Sequence, residues 1–121
     1  MATAQPQTGH VYKIKNMAQG IRREAHGDHA WRPHGVVLAS PDGLVNVAAR
    51  GSTSDDYDRR RDFWSPKAPE MGLDKDGFFS ARDRWYKSFA ADELADGTKA
   101  KYLGPLPEPQ FTGYCNWVDA L

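Results

Sequence analysis

The chain has 121 residues, 40% of them hydrophobic, with sixteen basic and sixteen acidic side chains, which is enough for one domain with one core. A formal charge of zero argues against a dedicated, tightly binding nucleic-acid domain but leaves room for a local basic groove. The lone cysteine, Cys115, excludes an intrachain disulfide scaffold. No apolar run approaches the roughly 18 residues of a membrane span, and the N-terminus lacks the pattern of a signal peptide, so a cytoplasmic protein is the expectation.

In chain order, residues 1–8 read as a frayed polar tail and 9–121 as the domain. "HVYKIKN" alternates and predicts a first strand with one wet face. Residues 17–33 show no clean period and read as a long loop, of the kind that often carries function. Two apolar runs, Val36 to Ala39 and Leu44 to Ala49, flank the turn signal Pro41-Asp42-Gly43 and predict an antiparallel hairpin. The polar stretch from Arg50 to Gly72 reads as a connection, with its acid-base cluster Asp55 to Asp62 solvated. "DGFFSARDRWYKSF" predicts two strands or one bent strand. "AADELAD" before Gly97 predicts one or two helical turns, and "KAKYLG" a last short strand. Phe111, Tyr114, Cys115 and Val118 recur at helical spacing and predict a C-terminal helix. The fold class expected from this order is mostly β: a small, curved, antiparallel domain of barrel type with helical additions.

Several stretches together resemble the MazF/PemK family of toxin endoribonucleases. "WRPHGVVLAS" is similar to the family's Arg-Pro opening its second long strand. "VNVAARGSTS" is similar to the strand that closes in a hydroxyl pair. "GLDKDGFFSARDRWYKSF" and "YLGPLP" follow in the family's order before a closing helix. The resemblance spans roughly residues 9–121. It implies a Kid/CcdB-type, SH3-like barrel of about five to seven antiparallel strands, usually a homodimer. It also implies metal-independent cleavage of single-stranded RNA and an antitoxin partner with a flexible acidic segment. The chain departs from the family at Gly51 to Ser54, where either Ser52 or Thr53 could take the hydroxyl role, at "SARDR", and in its histidine-rich loop.

Such cleavage needs the 2′-hydroxyl deprotonated, the phosphorane's charge stabilised and the 5′-oxygen protonated. Arg32 suits the second task, because its planar fork donates two hydrogen bonds to phosphate oxygens. Ser52 and Thr53 could donate to a phosphate or orient the attacking hydroxyl; a plain turn is the alternative. His29, near Arg32, titrates close to neutrality and is a candidate acid or base. Arg22, Arg23, Arg50, Arg82 and Arg84 could line a phosphate groove. Trp31 and Trp85 could stack unpaired bases or simply pack in the core. His26, His29 and His34 also allow a zinc reading, but one short loop would have to supply every ligand; no metal or other cofactor is expected. Two rivals to the nuclease remain: a barrel module that binds nucleic acid or protein without cutting, and a small metalloenzyme built on the histidine loop.

Overall fold

The computed structural model describes residues 6–15, 31–51, 60–82 and 86–121. Seven antiparallel strands form one sheet: β1 (His10–Lys15), β2 (Trp31–Ala39), β3 (Leu44–Gly51), β4 (Asp62–Ser65), β5 (Gly77–Ser80), β6 (Tyr86–Ala90) and β7 (Ala100–Pro105). Among the described residues two α-helices complete it, α1 (Ala91–Ala95) and α2 (Gln110–Asp119). The strand order is β4-β5-β3-β2-β1-β7, with β6 also on β3. The expected antiparallel, mostly β architecture with short helices is therefore present. The sheet is not closed into a barrel: among the described residues its end strands β4 and β7 do not pair with each other.

The hairpin forms where the apolar runs placed it, with Val36 opposite Val47. Gly43 closes its turn at φ +92°, a conformation that costs glycine little, and Ser40 N–H donates to the Leu44 carbonyl. Val36 and Val37 are both buried because both faces of the sheet are covered. Val36 packs with Ile14, Val45, Val47 and Leu94 of α1. Val37 packs with Val11, Ala48, Phe79 and the Tyr114 and Trp117 rings of α2. This two-sided burial is why the run is continuously apolar rather than alternating. Gly35 lets α2 approach closely, since a Cβ there would lie 2.5 Å from the Tyr114 hydroxyl.

Three expectations need correction. Strand β2 begins at Trp31, inside the stretch read as loop, because Trp31, Arg32 and Pro33 pair with Lys15, Ile14 and Lys13 of β1. The connection after β3 is not all loop: it holds β4 and a 3₁₀ turn at Pro69–Met71. Its Asp62 is buried, not solvated, and takes a two-pronged ion pair from Arg82, at 3.3 Å from Nε and 3.0 Å from Nη2. Of the expected tail only residues 6–8 are described, and there Thr8 Oγ1 donates to the Val37 carbonyl; residues 1–5 lie outside the described part.

Candidate functional site

Of the candidate catalytic residues, Arg32 is described; Ser52, Thr53 and His29 lie outside the described residues, as do Arg22, Arg23, Arg84, Trp85 and His26. Arg32 is the second residue of β2, not a loop residue ahead of it. Its guanidinium is about half buried, and that burial lowers its pKa from the ordinary arginine value; arginine nevertheless stays cationic in proteins. Nη1 donates to the Arg50 carbonyl at 3.3 Å. The side chain thus crosses to the end of β3, where Gly51 is the last strand residue. Ser52 and Thr53 follow Gly51 directly in the chain.

His34 belongs to the strand rather than the loop and is fully buried. Its Nδ1 lies 2.7 Å from the Arg32 carbonyl. A carbonyl only accepts, so Nδ1 carries the proton and Nε2 is a bare acceptor. Among the described residues Nε2 has no hydrogen-bond partner. Burial lowers the His34 pKa to about 4; the bond to the Arg32 carbonyl works against that shift, and the nearby Arg32 charge reinforces it. A neutral ring tied to the Arg32 backbone suits a support better than a proton carrier.

The candidate RNA-binding residues separate. Arg50 is buried, and its fork faces inward: Nε donates to Ser65 Oγ at 3.0 Å, and Nη2 to the carbonyls of Ser65 at 2.7 Å and Lys75 at 2.8 Å. Those bonds fasten the end of β3 to the segment between β4 and β5. Arg82 follows β5 and is bound to Asp62 of β4, so β3 stands between it and β2. Trp31 is half-buried at the start of β2, with the Lys101 and Lys15 ammonium groups 4.7 and 5.9 Å from its ring centroid. Among the described residues no group of three or more histidine, cysteine or acidic side chains is placed to hold a metal ion.

Two features escaped the sequence reading. Lys13, Lys15 and Lys101 converge around Trp31 only through strand pairing. A groove of about 810 Å³ opens between β4 and α2, lined by Phe63, Trp64, Pro107, Pro109, Gln110 and Trp117. Trp64 is 45% exposed there, edge-on to Phe78. Trp64 and Trp117 lie 53 residues apart in the chain, and only the fold brings both to this groove.

No protein-family model matches the chain, and no curated protein matches it significantly. Among the described residues no helix is long and apolar enough to cross a membrane.

Proposed function

We propose that the chain is a metal-independent endoribonuclease of the toxin type, acting on single-stranded RNA in the cytoplasm. The observation that carries this reading is the bond from Arg32 to the Arg50 carbonyl. It holds a half-buried cation at the end of β3, beside the chain that continues into Ser52 and Thr53. Such an arrangement suits charge that develops on a phosphorane, because a donor fixed before reaction costs no reorganisation during it. The 2′-oxygen attacks phosphorus, the 5′-oxygen leaves with a proton, and the products are a 2′,3′-cyclic phosphate and a 5′-hydroxyl. Arg32 stabilises the non-bridging oxygens; Ser52 or Thr53 orients the attacking hydroxyl, and His29 is the candidate for proton transfer. Arg50 is left out of the RNA contacts, since its donors serve the fold. The account includes an acidic-tailed antitoxin partner and a homodimer, for which light scattering at micromolar concentration should give twice the chain mass of 13.5 kDa; the monomer mass would refute the dimer.

The test is incubation with mixed-sequence RNA, with and without a chelator, and analysis of the product ends. Chelator-resistant cleavage leaving cyclic phosphates supports the nuclease. Binding without cleavage would make the chain a binding module. Loss of cleavage in chelator would favour a metalloenzyme using the histidine loop.

A further inference from the structure

Strand pairing builds a basic face that no single stretch of sequence contains. Lys15 stands opposite Trp31, Lys13 opposite Pro33, and Lys13 also opposite Lys101 of β7. Directly paired residues share a face of the sheet, and neighbours along a strand alternate. Lys13, Lys15, Trp31 and Lys101 therefore lie on one face, and Arg32 and His34 belong to the other. Further along the same face, Val11 and Val37 are covered by α2. At Pro33 and Lys13 the cover ends, and Lys15 and Lys101 are exposed.

The described residues bring no carboxylate to the charges on this face: none of Lys13, Lys15 and Lys101 has one at ion-pair distance. Like charges directly opposite on adjacent strands work against the sheet, and Lys13 and Lys101 are such a pair. A fold that needed only packing here would gain from a neutral or acidic residue at either position. Among the described residues the Trp31 ring meets the Lys15 and Lys101 ammonium groups.

We propose that this face is a track for single-stranded nucleic acid, in which Trp31 stacks one unpaired base and Lys13, Lys15 and Lys101 hold the phosphates beside it. Bases stack on aromatic rings without regard to sequence, and a base can reach an indole only when it is unpaired. An ammonium that lies over the ring in the free protein moves to a phosphate when a base takes its place. The proposal rests on the nuclease reading for its ligand class. It adds a holding surface on the face of the sheet opposite Arg32, next to it at the start of β2, so that RNA is gripped on either side of the bond that is cut.

The experiment uses a fluorescein-labelled, fully 2′-O-methylated RNA of mixed sequence, which binds but cannot be cleaved through its 2′-oxygen, and reads anisotropy across a salt series. For single strands each neutralised phosphate contributes about 0.7 to the slope of log K against log salt. The wild-type slope should be about −2 or steeper, and Lys15→Gln or Lys101→Gln should each reduce its magnitude by about 0.7. Trp31→Ala should weaken binding by roughly 5- to 150-fold, the range of one lost stacking contact, and Trp31→Phe should restore most of it. Lys101→Gln should melt no lower than wild type while binding less, a combination that a purely structural lysine would not give. The proposal is overturned if the Lys15→Gln/Lys101→Gln double variant keeps wild-type affinity and slope, if the duplex form binds tighter than the single strand, or if Trp31→Ala binds the RNA as tightly as wild type. Because the probe cannot be cut, a failed track and a failed nuclease give different results: cleavage lost on Arg32 substitution with no effect of these variants removes the track alone, and a sound track on a protein that never cuts removes the nuclease alone.

Discussion

Arg50→Ala should unfold this protein far more easily than its exposed arginines suggest. The substitution removes the donor for Ser65 Oγ and for the Ser65 and Lys75 carbonyls. Ser65 is fully buried, so its carbonyl loses its arginine partner out of reach of bulk water. A buried polar group left unsatisfied costs about 1–3 kcal/mol. The Ser65 hydroxyl keeps its bond to Gln110 Oε1, and the Lys75 carbonyl is only partly buried, so a total near 3 kcal/mol is expected rather than the sum of three full penalties. With an unfolding entropy of about 2.1 cal/mol/K per residue, a 121-residue domain should lose roughly 12 °C in Tm. Arg50→Lys should recover part of this, since an ammonium can reach one acceptor but not span the fork's geometry. Urea unfolding followed by tryptophan fluorescence gives the free energy and the m-value. A loss below about 1 kcal/mol with an unchanged m-value would refute the structural role assigned to Arg50.

His34 should make stability depend on pH. Its folded pKa of about 4 lies below the ordinary 6.5, so between those values the unfolded chain binds more protons than the folded one. The stabilisation is fully present above pH 6.5 and is lost as pH falls toward 4, by about 3 kcal/mol in all. Urea midpoints across that range should fall less steeply in His34→Gln than in wild type, and parallel curves would contradict the buried neutral ring. Gly35→Ala should cost about 1–3 kcal/mol by driving a methyl group against the Tyr114 hydroxyl; a Tm equal to wild type would show that α2 can shift to make room.

The sequence made the hairpin legible because Pro41-Asp42-Gly43 breaks two apolar runs, and local chemistry alone decides such a turn. The start of β2 was hidden because Trp31-Arg32-Pro33 carries no period of its own; it becomes strand only by pairing with β1. Strand β4 was hidden for a similar reason. Asp62 reads as a loop acid until Arg82, twenty residues on, neutralises it in the interior. At the candidate site Arg32 stood out through its neighbour Pro33 and the strand that follows. Arg50 looked equivalent by residue type, and only its inward hydrogen bonds separate the two. The basic face around Trp31 could not be seen, because positions 13, 15, 31 and 101 are joined by register and not by sequence.

Cleavage by Arg32→Ala tests the central claim most directly. Single-turnover cleavage of a mixed-sequence RNA should be compared for wild type, Arg32→Ala and Arg32→Lys, with circular dichroism confirming the fold. Removing a donor to charge that develops only in the transition state typically costs about 100- to 1,000-fold in rate, or roughly 3 to 4 kcal/mol. Arg32→Ala should show that loss while remaining folded, and Arg32→Lys should regain only part of it, since it keeps the charge without the two-pronged geometry. Undiminished cleavage by a folded Arg32→Ala protein would contradict the account.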